Sequence, residues 1–239
     1  MVNRMNLTEI KKGQEGCGLL IEQDGYISLS DEKNRVLRES IESYTNGDVN
    51  ALPRPFVVSA VFQKFGIENA NGRIYPEKIL KREVEKYMAA VRERRAYGEC
   101  NHPDTSQIDL DRIAMNITNL YWQGHTLLGE MEIPITEGFR KFGMCSTVAD
   151  RVAQLLISKL RIGVSSRGLG TVTQQMGKLV VGDDYEILCW DVVSNPSTPG
   201  AWIDENPKEL QKFVESVEPT NNNIIKEDKF SKFDNWLLS

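Results

Sequence analysis

Two apolar, strand-like runs, residues 113–122 and 126–133, are separated only by Gln123-Gly124-His125. A connection that short can join neighbouring strands only if they run antiparallel, so the stretch predicts a β-hairpin. Other segments share its character. Residues 56–62 (FVVSAVF) are rich in β-branched and aromatic side chains, and residues 96–100, 161–173, 179–181 and 185–193 also predict strands. Helical spacing interrupts this pattern twice. Pro76 opens a helix that runs to about Arg94 and places Ile79, Leu80, Val84, Tyr87, Met88 and Val91 on one face. Residues 147–160 predict a buried helix through Val148, Val152, Leu155, Leu156 and Leu160. The sum is an α+β fold, a mostly antiparallel sheet or barrel flanked by helices.

The chain's 239 residues suffice for one sizeable domain with tails, or for two small domains. Three zones are expected. Residues 1–53 form an arm, leader or pro-segment, with a weak helical pattern over 30–44 that Asn46-Gly47-Asp48 ends. Residues 54–205 carry the strong periodic signals. Residues 206–239 are a tail: a short helix over 208–217, an Asn-rich linker over 218–223, and a terminal helix with Phe230, Phe233, Trp236 and Leu237.

Charge is mixed, with a net value of −5 and no basic stripe, so nucleic acid is not an expected partner. No apolar run is long enough to span a bilayer, so no membrane partner is expected either. The four cysteines, Cys17, Cys100, Cys145 and Cys189, lack the spacing of a zinc or redox motif, which points to free thiols in a reducing compartment and to no metal or other cofactor.

With two histidines in the chain, a Ser-His or Cys-His mechanism must use His102 or His125. His125 lies in the expected hairpin turn, where a histidine is usually just solvated. His102 follows an expected strand, in Gly98-Glu99-Cys100-Asn101-His102-Pro103, where catalytic groups tend to sit, although a surface or packing histidine is also compatible with that position. Ser165 and Ser166 lie in a glycine-rich apolar segment, residues 162–170, that also carries Arg167 and Gly168. Serine needs an adjacent base to act as a nucleophile, and glycine frees backbone for a close approach; a bulged structural strand is the alternative. Asp191 interrupts an apolar strand. If buried it needs a partner, which an imidazole could be; on an exposed edge it would be solvated, and the alternation around it leaves both open. Cys100 with His102 is a further pairing, though residues two apart on a strand rarely form a dyad.

Four segments in order resemble the prohead core protease family of T-even-type tailed phages. They are Asn69, Arg73, Tyr75 and Pro76; then Gly98, Glu99, Asn101, His102 and Pro103; then every position from Gly163 to Gly170; then Asp191, Val193, Pro196, Ser197, Pro199, Ala201 and Trp202. The resemblance covers roughly residues 54–203. It implies a fold similar to the herpesvirus assembly proteases, with Ser165 as nucleophile and His102 as base. No histidine follows His125 to fill the third position as in herpesvirus-type enzymes, which leaves Asp191 as the candidate there. Amides near Arg167 and Gly168, with the Arg167 guanidinium, are candidates for the oxyanion site. The resemblance further implies action inside the phage prohead in the host cytoplasm. Its implied partners are scaffold or core proteins and the major capsid protein, together with a second copy of the chain. Cleavage is implied after glutamate in Leu/Ile-x-Glu contexts. Such triplets occur at Leu7-Thr8-Glu9, Leu20-Ile21-Glu22, Leu128-Gly129-Glu130 and Ile225-Lys226-Glu227. Position favours Glu227 as the self-cleavage site of a zymogen. The alternative is a catalytically silent scaffold or capsid-assembly protein of the same fold.

Overall fold

The computed structural model describes residues 8–103 and 105–194. The helices, linker and Glu227 site expected over 206–239 lie outside these residues, as do Pro196, Ser197, Pro199, Ala201 and Trp202.

In chain order the elements are β1 (Gly16–Ile27), α1 (Arg35–Thr45), β2 (Val57–Lys64), β3 (Arg73–Ile74), α2 (Glu77–Arg92), β4 (Tyr97–Glu99), β5 (Ile113–Gln123), β6 (Thr126–Glu132), α3 (Glu137–Phe142), α4 (Val148–Ile157), β7 (Gly163–Gln175), β8 (Lys178–Val181) and β9 (Glu186–Val193). The β5–β6 hairpin turns at Gly124, whose φ of 59° is the left-handed conformation that glycine takes without strain. Helices α2 and α4 bury the faces expected of them, except at the end of α4. There Lys159 adopts φ 56°, the helix stops, and Leu160 is left 55% exposed.

The strands follow the order β3-β8-β7-β1-β2-β6-β5-β4, with β9 also paired to β7. All pairings are antiparallel except β3 with β8. Beyond β4 the chain bridges to β9: Cys100 pairs with Val192, and the Asn101 N–H donates to the Val192 carbonyl at 2.8 Å. The path β7-β1-β2-β6-β5-β4-β9-β7 therefore closes on itself as a barrel. Gly98 permits this closure, because a Cβ there would run into the Trp190 carbonyl of β9. The core fills the barrel and the space beneath the helices. Trp190 is fully buried between Phe62 of β2 and Tyr87 of α2, with edge-to-face ring contacts at 5.7 and 5.0 Å.

Residues 16–27, expected within an arm or pro-segment, instead form β1 and lie between β7 and β2. The triplet Leu20-Ile21-Glu22 is thus part of the barrel wall. The Glu22 carboxylate is completely buried and accepts from Arg73 Nη1 (2.5 Å), the Tyr75 hydroxyl (2.8 Å), Asn69 Nδ2 (2.7 Å) and Asn71 Nδ2 (2.7 Å). This cluster accounts for the Asn69, Arg73 and Tyr75 segment: those side chains fasten the loop before α2 to the first strand.

A second buried carboxylate joins α3 to α4. Asp150 accepts from the Thr136 N–H and hydroxyl (2.8 and 3.0 Å) and from the N–H groups of Ser146 and Thr147 (3.0 and 3.1 Å), and it completes a capping box with Thr147. Burial works against its charge, but the backbone donors of Thr136 and Ser146, with Thr147, outweigh this and hold its pKa below the ordinary value. A group depressed in the fold stabilises it above the unfolded-state pKa, and that contribution is lost as pH falls through the folded value. Asp150→Ala should therefore cost about 2 kcal/mol at pH 7. In urea titrations at decreasing pH, its deficit against the wild type should shrink below about pH 4.

Candidate active site

The antiparallel register of β7 and β9 sets Ser165 opposite Asp191, Ser166 opposite Trp190 and Arg167 opposite Cys189. Side chains alternate along a strand, so Ser165, Arg167, Cys189 and Asp191 share one face. Ser166 takes the other face, beside the Tyr185 hydroxyl. The third strand end comes from β4. Asn101 adopts the left-handed conformation (φ 62°), which asparagine tolerates better than most residues, and it turns the chain sharply after the bridge to β9. Next along the chain, His102 comes to lie over the Ser165–Asp191 pair.

The His102 ring is bonded on both sides. Nδ1 lies 2.8 Å from Asp191 Oδ2, and Nε2 is hydrogen-bonded to Ser165 Oγ. A carboxylate only accepts, so Nδ1 carries the proton and Nε2 is left to accept from the serine hydroxyl. Asp191 and Ser165 are completely buried, while the His102 side chain keeps 10% exposure. The other Asp191 oxygen accepts from the Glu99 N–H at 2.9 Å. The structure thus brings His102, Ser165 and Asp191 into one hydrogen-bonded line. With both ring nitrogens occupied, none is left for Cys100, which instead packs partly against the hydrophobic core.

Arg167 and Gly168, expected at an oxyanion site, have a different setting. The Arg167 guanidinium is fully buried: Nη2 lies 2.5 Å from Glu99 Oε2, Nε lies 3.0 Å from Asp191 Oδ2, and Nη1 donates to the Thr105 carbonyl at 2.7 Å. Along the backbone both residues sit in the wall, paired with β1 on one side and β9 on the other. Gly168 leaves room for Tyr185, whose ring a Cβ would meet at 2.5 Å. Ion pairing accounts for the Arg167 side chain and close packing for Gly168, and the β7–β9 ladder shifts register between the two. Glu99 was legible only as part of a segment. Its side chain lies at the centre of the buried charges, accepting also from the Asp109 N–H at 2.9 Å.

Among the described residues, no group of three or more His, Cys, Asp or Glu side chains could hold a metal ion, and no helix is long and apolar enough to cross a membrane. His125 is exposed in the β5–β6 turn.

Comparison with known proteins gives a consistent result. The sequence profile of the family described as prohead core protein serine protease matches residues 19–215. The prohead core protein protease of Enterobacteria phage T4 is 31% identical over 173 residues, which cover 71% of this chain and 76% of that protein. The solved structure of the bacteriophage T4 capsid assembly protease superposes with a TM-score of 0.51 at 27% identity, covering 57% of this chain and 80% of that one.

The four thiols are free and differ sharply in setting: Cys17 and Cys145 are exposed, Cys100 is half-buried and Cys189 is buried. Burial raises the pKa of Cys100, and burial together with the nearby Asp191 raises that of Cys189 strongly. Iodoacetamide at pH 8 should therefore label Cys17 and Cys145 in the folded protein and reach Cys189 only after unfolding. Peptide mass mapping reads this directly.

Proposed function

The chain belongs to the prohead core protein serine proteases, and from that membership we propose that Ser165 is its nucleophile, His102 its general base and Asp191 the carboxylate that orients the base. The protein is a serine protease of phage capsid assembly, acting inside the prohead in the host cell. The observation that carries the residue assignment is the unbroken line Ser165 Oγ, His102 Nε2, His102 Nδ1, Asp191 Oδ2. Intact, it favours an active enzyme over a silent structural relative.

The chemistry is acyl transfer. Ser165 Oγ forms a bond to the carbonyl carbon of the scissile peptide while its proton passes to His102 Nε2. The imidazolium so formed is stabilised by Asp191, which accepts from Nδ1–H and stays ionised. Collapse of the tetrahedral intermediate breaks the C–N bond, and His102 returns the proton to the leaving amine. Water, deprotonated by the same imidazole, then hydrolyses the acyl-enzyme.

The substrates in this reading are scaffold and capsid proteins of the prohead, cut after glutamate in Leu/Ile-x-Glu contexts. The enzyme is a zymogen that also cuts itself, after Glu227. Location supports that choice over Leu20-Ile21-Glu22 and Leu128-Gly129-Glu130. Those two triplets lie in β1 and β6, where the backbone is held in sheet ladders and closed to a protease.

Intact-mass spectrometry after incubation tests this. Wild type should lose the peptide that follows Glu227, and Ser165→Ala should stay whole. A wild type that stayed whole and also failed to cut added scaffold or a peptide that continues past an internal Ile-Lys-Glu would overturn the reading. On such a peptide, Asp191→Asn should lower kcat by about 10⁴-fold and change KM far less.

A further inference from the structure

The reaction as proposed uses three side chains, yet the largest buried charges beside them belong to two others. Arg167 and Glu99 are both completely enclosed and paired at 2.5 Å. A buried ion pair is a weak source of stability, because desolvating both partners offsets most of their attraction. Its position in this fold is more informative. Arg167 touches both oxygens of Asp191, with Nε 3.0 Å from Oδ2 and Nη2 3.3 Å from Oδ1. The Glu99 N–H donates to the same Oδ1. The pair also grips the loop that carries His102. Arg167 Nη1 binds the Thr105 carbonyl at 2.7 Å, and Glu99 Oε1 takes the Asp109 N–H at 2.9 Å. One ion pair thus holds the carboxylate and, at two points, the segment bearing the base.

The charges carry a second consequence. Arg167 alone, lying against Asp191, would cancel much of the negative field that Asp191 exerts on the imidazole. Glu99, held on the same guanidinium through Nη2, offsets it. Among the described residues, the other ionisable groups near this centre are Cys189 of β9, raised and hence a neutral thiol, Tyr87 of α2, raised by burial and hence a neutral phenol, and Arg112, which precedes β5 and lies 3.9 Å from Glu99 Oε1 with 43% of its side chain exposed. Cys100 is raised by its burial, which outweighs the opposing fields of Arg112 and of Arg151 of α4, so it too is neutral. The exposed arginines are screened by water, whereas Glu99 and Arg167 are not.

We propose that Glu99 and Arg167 are positioning residues of the reaction: together they fix Asp191 and the His102 loop, and Glu99 keeps Arg167 from neutralising Asp191 toward the imidazole. This rests on the assignment of His102 as base and deepens it.

The test is the pH dependence of Ser165 labelling by a fluorophosphonate in the full chain, comparing wild type, Glu99→Gln and Ser165→Ala. The amide oxygen of Gln can still accept from Asp109 N–H or Arg167, so chiefly the charge is removed. Glu99→Gln should melt cooperatively, label about tenfold more slowly or less, and shift the acid side of its profile to lower pH by about one unit. A profile that superposes on wild type, or one that is lower throughout with its acid side unmoved, overturns the proposal. If Glu99→Gln does not fold, Arg167→Lys carries the test. It keeps the charge but loses the grip on Thr105, so slower labelling with an unmoved acid side supports the proposal and a wild-type rate overturns it. Labelling absent from wild type, or equal in Ser165→Ala, would instead sink the assignment of the nucleophile. The positioning claim would still be decided by NMR titration of the His102 imidazole in Glu99→Gln: a midpoint at lower pH supports it and an unmoved one overturns it. With two histidines in the chain, His125→Gln assigns that signal.

Discussion

The backbone hydrogen bond from the Asn101 N–H to the Val192 carbonyl, within the bridge of Cys100 to Val192, marks where the sheet closes into a barrel. Without that seam, β4 and β7 would stand five pairings apart along the path β7-β1-β2-β6-β5-β4. His102, which follows β4, would then lie far from the strands that carry Ser165 and Asp191. Closure is therefore the event that brings the three side chains of the proposed site together. The residues at the seam reflect this demand: Gly98 lets β4 approach β9, and Asn101 accepts the left-handed turn.

The wall that bears Ser165 is braced by charge on both faces. Glu22 and Arg73 lie behind Ser166, while Glu99 and Arg167 lie beside Ser165 and Asp191. Neither pair is cheap to bury, and each is embedded in further hydrogen bonds that hold loops rather than strands. Through Arg73, Tyr75, Asn69 and Asn71, the first fastens the approach to α2. Through Thr105 and Asp109, the second fastens the segment that carries His102. Loops around a barrel have few apolar contacts of their own, so directional bonds to a buried ion set their shape.

Much of this was legible in the sequence. The β5–β6 hairpin, α2, α4 and the strands β7 to β9 follow from apolar periodicity, because each buries one face or both. The barrel strand β1 was not. Its sequence, GCGLLIEQDGYI, mixes glycine with charge, and its burial depends on Arg73, which is remote in the chain, to accept Glu22. At the candidate site, residue types and order pointed to Ser165, His102 and Asp191, which the fold brings within hydrogen-bonding reach of one another. The setting of Arg167 was hidden for a physical reason. An arginine among glycines fits an anion site as well as a buried ion pair, and only the position of Glu99 on a neighbouring strand separates the two.

The central place of β1 has a consequence for timing. Strand β7, which carries Ser165, is flanked by β1, which leaves the ribosome early, and by β9, which leaves it last among the strands described. Pairings so distant in sequence form slowly, since a long stretch of chain must be ordered before they add stability. A nascent chain that has emerged only as far as β7 holds its serine but has neither the carboxylate nor the seam that presents the imidazole. The line of Ser165, His102 and Asp191 thus forms only once β9 has emerged, and a product truncated before β9 lacks it.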